Sequence, residues 1–291
     1  MKDLLHGIVL YNGFLNPREP RFISRFRAAA ESLGIRLSGA PSGVFSVGGA
    51  GVHAFPEADF CLFFDKDWNL CRALEARGIP VFNDLASNLV CDDKALQIQT
   101  VGAECFPETL FAPKSYFADA CWTGLEEVGA RLGFPLVVKE CFGSWGEQVY
   151  LAKDGAELER IFRAHSDKPL LFQKFVKESA GTDARVLVAG GRVLGAIRRR
   201  AKAGEFRANV ELGATAESLA LDGETQTFCV EAARRAGATF CGVDLLFGKD
   251  RVYLCELNAN PGFEGFSQVF PGLAERGILE AVRAALENRT K

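Results

Sequence analysis

The chain has 291 residues, of which 48% are hydrophobic and 24% are charged, and its formal net charge is −3. This composition is ordinary for a soluble globular enzyme of one large or two to three small domains, and the acidic balance argues against a general nucleic-acid binder. No apolar run reaches the length of a membrane span and the N-terminus lacks the apolar core of a signal peptide, so we expect a cytoplasmic protein that contacts no membrane.

The first ninety residues alternate short apolar runs with amphipathic segments, a rhythm that predicts a parallel sheet covered by helices. Strands are expected at 7–11, 59–64 and 79–82, and helices at 21–33 and 70–77. The Gly- and Ser-rich residues 39–51 are expected to form a mobile loop. No G-x-G-x-x-G follows the first strand, which disfavours a nicotinamide-dependent oxidoreductase.

From residue 92 the pattern changes to a small α+β unit over about 107–172, followed by two hairpins and two amphipathic helices. Helices are expected up to 101 and at 125–132, 157–165, 224–236 and 274–286. Extended segments are expected at 107–111, 135–140, 147–152, 170–175, 185–188 and 193–197. Gly190-Gly191 is a turn signal between the last two.

Nine cysteines stand at 61, 71, 91, 105, 121, 141, 229, 241 and 255, with no C-x-x-C and no cluster with histidine. Several lie inside apolar runs, so free, buried cysteines in a reducing compartment are expected. His6, His53 and His165 are scattered and show no metal-ligand spacing.

The stretch V-Y-L-C-E-L-N-A-N-P-G at 252–262 predicts a strand in which Glu256 and Asn258 share one face. The apolar run F-C-G-V-D-L-L-F upstream carries one acid, Asp244, and G-K-D at 248–250 reads as the turn between the strands. An odd number of loop residues would put Asp244 on the face of Glu256 and Asn258, and a two-residue loop would not. Three oxygen ligands on one face would form a site for a hard cation, whereas the alternative is a solvated sheet face.

Lys139 ends the apolar strand P-L-V-V-K-E, and burying a lysine there is costly unless an anion meets it. Gly143-Ser144-Trp145-Gly146 follows and can offer backbone N–H groups to phosphate oxygens, although a plain hairpin turn has the same pattern. Lys94, near a helix start, is uninformative by itself.

Residues 173–176, Gln173-Lys174-Phe175-Val176, lead from an apolar strand into a polar turn that contains Glu178 and Asp183. A segment that passes from a strand into a turn in this way can present backbone groups to the edge of an adenine base. The carboxylates can accept hydrogen bonds from ribose hydroxyls. A connector between domains is the alternative reading.

The densest basic segment is R-R-R-A-K-A-G-E-F-R-A-N at 198–209, which contains Arg199, Arg207 and Asn209. It forms a local positive site in an acidic chain. Nucleic acid is the weaker interpretation because Phe206 is the one interleaved aromatic, so a phosphoryl or anionic small-molecule site is favoured.

Five segments in order carry a resemblance: V-V-K-E…G-S-W-G, F-Q-K-F-V-K-E-S-A-G-T-D-A-R, R-A-K-A-G-E-F-R-A-N, G-V-D-L-L and C-E-L-N-A-N-P-G-F-E-G. Over about 90–270 the chain resembles the ATP-grasp ligases, most closely the RimK-type α-L-glutamate ligases and their relatives in lysine and deazaflavin-cofactor biosynthesis. The resemblance implies an N-terminal parallel α/β domain at 1–90, a central lid domain at 91–172 and a C-terminal antiparallel-sheet domain with the metal site at 173–291.

The resemblance also implies roles for the residues at matching positions. The ATP-binding set would comprise the two phosphate lysines (Lys94, Lys139), the lid loop (Gly143, Ser144, Trp145, Gly146), the adenine hinge (Gln173, Lys174, Phe175, Val176), the ribose carboxylate Glu178, the further contact Asp183, and the phosphate segment (Arg207, Asn209). Arg199 would steady the acyl-phosphate, with Arg207 as a second catalytic arginine. Asp244, Glu256 and Asn258 would ligate two Mg²⁺ ions, or Mn²⁺ in their place.

The implied reaction has two steps. A substrate carboxylate attacks the γ-phosphate of ATP to give an acyl-phosphate and ADP, and an amino-acid amine then displaces phosphate to form an amide. The acceptor would be a small molecule, a peptide or a protein, and relatives often assemble as homodimers or homotetramers. A non-catalytic ATP-binding sensor or scaffold of the same fold is the alternative.

Three departures from the family pattern bear on substrate and base selectivity. Lys174 stands where the family hinge commonly has Glu, and lysine cannot accept a hydrogen bond from the adenine amino group. The lid sequence G-S-W-G-E-Q is less glycine-rich than that of RimK, and Leu212-Gly213-Ala214 replaces a double glycine.

Overall fold

A computed structural model describes residues 4–14, 19–48, 51–117, 119–143, 146–202, 205–208 and 214–289 of the chain. Three sheets of four or five strands organise these residues, and one is parallel whereas the other two are antiparallel. The predicted mixture of α/β and α+β structure is therefore confirmed.

The N-terminal unit is a parallel sheet with strand order β2-β1-β5-β6. Its elements are β1 (Leu5–Tyr11), α1 (Arg21–Glu31), β2 (Ile35–Pro41), β3 (Ser46–Gly48), β4 (Gly51–His53), β5 (Phe60–Phe64), α2 (Trp68–Ala76) and β6 (Val81–Phe82). All five residues of β5 are buried because the strand is central and both faces of the sheet are covered. Helix α1 buries Ile23, Phe26 and Ala30, which recur at helical spacing.

The expectation of a loop over residues 39–51 is wrong for most of the described part of this stretch, residues 39–48 and 51. This stretch begins inside β2, continues through a 3₁₀ turn at Ser42–Val44 and enters the small antiparallel pair β3-β4. Val52 is buried, and the rings of Phe45 and Phe55 pack with centroids 5.0 Å apart. These flanking apolar side chains anchor a segment that its glycine and serine content alone would leave unstructured.

The middle of the chain forms the antiparallel sheet β7-β10-β8-β9 and the helices around it. Its elements are α3 (Leu85–Asp92), α4 (Lys94–Val101), β7 (Thr109–Phe111), α5 (Leu125–Leu132), β8 (Leu136–Glu140), β9 (Val149–Ala152), α6 (Gly155–His165) and β10 (Leu170–Lys174). The side chain of Asp93 caps α4 and that of Asp154 caps α6, as aspartate before a helix predicts. Ile98 and Val101 of α4 pack into the core of the third sheet.

The C-terminal sheet is antiparallel with strand order β13-β12-β11-β14-β15. Its elements are β11 (Thr182–Ala189), β12 (Arg192–Arg200), β13 (Thr215–Ser218), α7 (Gly223–Arg235), β14 (Phe240–Phe247), β15 (Val252–Asn258), α8 (Glu264–Val269) and α9 (Leu273–Arg289). The predicted turn at Gly190-Gly191 is confirmed, and both glycines have positive φ, as tight hairpins of this kind require.

A β-bulge brings the acids of β14 and β15 face to face. The two strands are joined by residues 248–251, an even number, which by parity would not place Glu256 opposite Asp244. The register shifts instead: Leu245 pairs with Leu254, whereas Asp244 pairs with Glu256. Cys255 is the extra residue, and its insertion restores the shared face that an odd loop would have given.

Asn83 ties the N-terminal unit to the C-terminal sheet. Its side chain is fully buried and donates to the carbonyls of Phe240 (2.7 Å) and Ala259 (3.1 Å). Its Oδ1 accepts from the backbone N–H groups of Thr239 and Phe240 at 2.9 and 3.3 Å. One amide thus satisfies backbone groups at the start of β14 and just past β15, which fixes where the metal-site candidates lie.

All nine cysteines are free, and six of them are buried whereas Cys121 is exposed. In the part of the chain that the structure describes, no helix has the length and apolar character needed to cross a membrane.

We expect Asn83→Ala to lower the free energy of unfolding by roughly 3 kcal/mol, because it leaves several buried backbone groups without partners. Urea unfolding followed by circular dichroism measures this loss. Asn69→Ala, at an exposed position in α2, is the matched control and should change stability by less than about 0.5 kcal/mol. Equal stabilities for the two variants would contradict the assignment of Asn83 as the link.

Candidate functional site

A cleft between the middle sheet and the C-terminal sheet collects most of the residues singled out in the sequence. It encloses about 900 Å³ when the space open to solvent is included. The predicted residues that line it are Lys94, Lys139, Gly143, Gly146, Gln173, Lys174, Phe175, Val176, Asp183, Arg199, Arg207, Asp244 and Glu256.

Five predicted site residues do not appear in this lining. Glu178 lies in the 3₁₀ turn Lys177–Ser179 and is exposed to solvent. Asn258 lies beside the cleft, where it contacts Glu256. Ser144, Trp145 and Asn209 lie outside the described residues, as do Leu212 and Gly213.

The floor of the cleft is one face of the C-terminal sheet, on which acidic and basic side chains alternate. Cross-strand pairing places Arg199 opposite Asp183, Arg185 opposite Asp244, and Asp244 opposite Glu256. Arg199 donates to both oxygens of Asp183 at 2.7 and 2.6 Å and to Asp244 Oδ2 at 3.0 Å. Arg185 donates to both oxygens of Asp244 at 2.8 and 2.7 Å.

Asp244 keeps its charge despite its burial. Burial alone raises the pKa of this carboxyl, but the Arg185 and Arg199 guanidinium groups outweigh it and hold the pKa below its ordinary value. Asp244 is 2% exposed and Arg199 is 2% exposed, so neither charge would be tolerated without the other. The role of Arg199 that the structure shows is to pair Asp183 and Asp244.

Glu256 and Asn258 complete an oxygen-rich end of this face. Asn258 Nδ2 lies 3.2 Å from Glu256 Oε1 and 3.5 Å from Asp244 Oδ2. The Lys94 ammonium lies 3.9 Å from Glu256 Oε2. Two carboxylates and an amide are ligands that Mg²⁺ accepts, so the donor set fits a hard cation. The described residues contain no cluster of three or more His, Cys, Asp or Glu suited to a metal ion, and Asn258 supplies the third donor here.

Lys94 and Lys139 reach the cleft from two different elements. Lys94 begins α4, and its backbone N–H donates to Cys141 O just past β8 at 3.0 Å. In the same helix Gln97 accepts from Leu257 N–H and donates to Leu257 O at 2.8 and 3.0 Å, which satisfies the outer edge of β15. The buried Lys139 donates to Gln173 Oε1 at 2.8 Å.

The bulged Cys255 also lines the cleft, with its Sγ 3.9 Å from Lys139 Nζ. Burial raises the pKa of this thiol to about 11, so the thiol is protonated near neutral pH and packs rather than reacts. Cys255 lies inside an apolar run and was therefore expected to be a free, buried cysteine; regular strand alternation would turn it away from the face of Glu256. The bulge puts both on the same side.

The glycine loop is held against the basic segment. Arg207 Nη1 donates to Gly146 O at 2.7 Å and its other nitrogens bind Glu205. These hydrogen bonds lower the pKa of Glu205 to about 2. Gly146 has φ +76°, a conformation that favours glycine.

The opposite end of the cleft is apolar and was largely missed in the sequence. Phe175 and Phe206 meet edge to face with centroids 6.5 Å apart, and Val137, Val149 and Leu246 add aliphatic surface. In the sequence, Val137, Val149 and Leu246 show only the alternation of ordinary strands. Phe175 was a predicted site residue, and Phe206 stood out only as the aromatic residue of the basic segment. Lys174 has its backbone N–H bonded to Glu108 O at 2.9 Å, and its side chain is exposed.

We expect Arg199→Met to lower the free energy of unfolding by about 3 kcal/mol, because it leaves two buried carboxylates short of a cation. Burial already raises the pKa of Asp183 to about 6. Without Arg199 this pKa should rise further, and that of Asp244 should rise above its value in the unfolded chain. The loss should therefore be greater at about pH 8 than at about pH 5, where protonation relieves it.

Denaturant unfolding with a chelator present measures this dependence. Arg200→Met is the matched control, because Arg200 pairs with Glu217 at the surface and should contribute less than about 1 kcal/mol. A penalty for Arg199→Met that does not change with pH would contradict the buried ion network.

Comparisons with known proteins identify a family for this chain. A family model described as a RimK-like ATP-grasp domain matches residues 108–281. Human N-acetylaspartylglutamate synthase A is 35% identical over 208 residues, which cover 70% of this chain and 52% of the relative. Human β-citrylglutamate synthase B is 33% identical over 226 residues, covering 76% of this chain and 57% of the relative. The chain thus spans about half the length of these curated relatives.

The fold is shared with a solved ATP-grasp ligase. The structure of PsnB, in complex with a phosphomimetic variant of its minimal precursor, Mg and ADP, superposes with a TM-score of 0.67. It covers 95% of this chain and 98% of PsnB at 17% sequence identity, which supports likeness of fold. Because the family match takes in more than half of the chain, the protein belongs to the RimK-like ATP-grasp family and has the ATP-grasp fold.

Proposed function

We propose that this protein is an ATP-dependent carbon–nitrogen ligase that forms an amide through an acyl-phosphate. The observation that carries the proposal is the convergence of Lys94, Lys139, Asp244 and Glu256 in one cleft with the glycine loop. Phosphoryl transfer needs positioning and charge neutralisation more than covalent help from the protein, and these groups supply both.

ATP would lie along the cleft with its base at the apolar end and its phosphates over the charged floor. Phe175, Phe206 and Leu246 offer the surface for the base. The proposed hinge Gln173–Val176 would contact the base through backbone groups, with Glu178 and Asp183 near the ribose. Since the exposed Lys174 side chain is donor-only, it would not select for the adenine amino group.

Lys94 and Lys139 would neutralise the phosphate oxygens, and Arg207 would do so from the opposite side together with Asn209. Arg207 already bonds the lid at Gly146, so the loop 143–146 would close over the nucleotide and shield the acyl-phosphate from water. Arg199 would act by holding Asp244 and by adding positive charge beneath the reacting phosphate.

Asp244, Glu256 and Asn258 would hold Mg²⁺, in two ions or with Mn²⁺ in its place, and the metal supplies Lewis-acid neutralisation of phosphate charge when bound. In the first step a carboxylate oxygen bonds to the γ-phosphorus and the bond to the β-phosphate oxygen breaks, releasing ADP. In the second step an amine nitrogen bonds to the acyl carbon, phosphate leaves, and the amine gives up a proton.

Glutamate is the proposed amine substrate. The names of both human relatives contain glutamate, whereas the acid part is N-acetylaspartate in one and citrate in the other. The carboxylate substrate is therefore proposed from that class of small polycarboxylic acids. A peptide or protein acceptor is the second candidate because PsnB is solved with its precursor. We further propose the division into units 1–90, 91–172 and 173–291 and a homodimeric or homotetrameric assembly.

A non-catalytic ATP-binding module is the competing function. A module that only binds ATP does not need a complete set of metal ligands. The presence of Asp244, Glu256 and Asn258 together therefore disfavours this function. Incubation with ATP, Mg²⁺, hydroxylamine and a panel of carboxylates separates the two. A ligase yields a hydroxamate and ADP with at least one carboxylate, because hydroxylamine intercepts the acyl-phosphate. ATP binding without hydroxamate or ADP for any carboxylate would favour the module.

We expect Glu256→Gln to reduce turnover by roughly 100-fold or more while the protein stays folded, because a charged metal ligand is lost. ADP release under saturating ATP and Mg²⁺ measures turnover, and circular dichroism measures folding. Asp250→Asn, in the exposed turn of the same hairpin, is the control and should retain wild-type turnover. Wild-type turnover in Glu256→Gln would overturn the metal assignment.

A further inference from the structure

A buried carboxylate at the carboxyl end of a central strand of the N-terminal sheet has one oxygen with no hydrogen-bond partner among the described residues. Asp65 follows β5 and is 3% exposed. Its Oδ1 accepts from the backbone N–H groups of Lys66 and Asp67 at 2.6 and 3.1 Å, and from Asn12 Nδ2 at 3.4 Å. Its Oδ2 is buried and has no hydrogen-bond partner among the described residues. Such an oxygen is costly unless a donor reaches it.

Asp65 lies at the topological switch point of the sheet, at the carboxyl ends of β1 and β5. The strand order is β2-β1-β5-β6. The chain therefore goes from β1 to β2 on one side of β1, whereas β5 and β6 lie on the other side. In open parallel sheets, ligands bind outside the carboxyl ends of the strands at this switch point. Asn12 follows β1 and Asp65 follows β5, so the two hydrogen-bonded side chains lie at the carboxyl ends of the two strands that flank this switch point.

The same edge adjoins the nucleotide cleft. Lys66 forms an ion pair with Asp92, two residues before Lys94. The Trp68 ring packs 6.0 Å from that of Phe142, the neighbour of Gly143.

The strand that carries the metal-site candidates also leads to this edge. Phe64, directly before Asp65, packs 5.5 Å from Phe263, just past Asn260-Pro261-Gly262. The neighbours of Asp65 in sequence therefore contact residues that lie close in sequence to Lys94, Gly143 and Asn258.

We propose that Asp65, supported by Asn12, binds the amine nitrogen of the amino-acid substrate. The inference rests on the proposed ligase function, which requires an amine next to the acyl-phosphate. A carboxylate accepts hydrogen bonds from an ammonium group as it arrives and from the amine that it becomes, and a charge-assisted bond is the stronger form. The free Oδ2 supplies that acceptor.

The two carboxylate oxygens of Asp65 have different surroundings. Oδ1 shapes the turn into α2 through the N–H groups of Lys66 and Asp67, and Oδ2 is left for a ligand. Asp65→Asn therefore separates a turn-forming role from a binding role, because the amide keeps an oxygen for the turn and replaces the charged acceptor with a donor.

Calorimetric titration with L-glutamate, in the presence of Mg²⁺ and ADP, tests the proposal. We expect Asp65→Asn to weaken L-glutamate binding by roughly tenfold or more, the usual effect of losing a charge-assisted hydrogen bond. Glutarate, the same diacid without the amine, should bind both proteins equally. Equal L-glutamate affinity in the two proteins, no L-glutamate binding by the wild type, or an equal loss for glutarate would overturn the proposal.

Steady-state kinetics give a readout that a structural role would not move. In Asp65→Asn the KM for L-glutamate should rise by roughly tenfold or more while the KM for ATP changes less than about twofold. Asp59→Asn is the matched control. Asp59 directly precedes β5, at the opposite end of the strand from Asp65, and its side chain accepts a hydrogen bond from His6 N–H. A rise in both KM values would overturn the proposal.

The hydroxamate reaction of the wild type needs no amine substrate and reports the ligase chemistry alone. If the wild type forms hydroxamate but Asp65→Asn binds L-glutamate with unchanged affinity, the proposed amine site is wrong and the proposed ligase function is retained.

Discussion

The structure of the site depends on the chain of ion pairs from Asp183 through Arg199 and Asp244 to Arg185. A buried carboxylate is unstable without compensation, and each acid in this chain is matched by a guanidinium. The pairing holds Asp244 ionised at the floor of the cleft. It also leaves Glu256 and Asn258 at the end of the network, where their oxygens can meet a cation rather than another arginine.

This arrangement depends on a single inserted residue. Without the bulge at Cys255, an even connection between β14 and β15 would turn Glu256 to the opposite face from Asp244. The outer edge of β15 is then fixed by Gln97, which lies on the helix that begins with Lys94. The metal-site candidates and one proposed phosphate lysine are therefore positioned by the same contact. The N-terminal sheet is joined to the C-terminal sheet through Asn83, which follows β6 and hydrogen-bonds the backbone at the start of β14.

Much of the fold was accessible from the sequence because its elements follow simple periodicities. Helices α5, α6 and α7 have clear apolar stripes, and aspartates cap α4 and α6. The structure of residues 39–51 was not accessible, because Val52 and Phe55 become buried through contacts distant in sequence. Leu246 was missed as part of the cleft for the same reason, since nothing in the sequence sets it apart from the other apolar residues of its strand. Phe206 was noticed in the basic segment, but its contact with Phe175 comes from the tertiary structure.

The sequence by itself determined the residue types of the site, their order and the family. Local rules suffice for that, because motifs such as Glu-x-Asn and the lysine before a glycine loop are contiguous. Tertiary structure decided which of these groups meet. It paired Arg199 with two aspartates, turned Cys255 into the cleft and kept Glu178 at the surface. It also left Asp65 Oδ2 buried without a hydrogen-bond partner among the described residues. Register shifts and the burial of charge are set by contacts between strands, and no single segment of the sequence contains them.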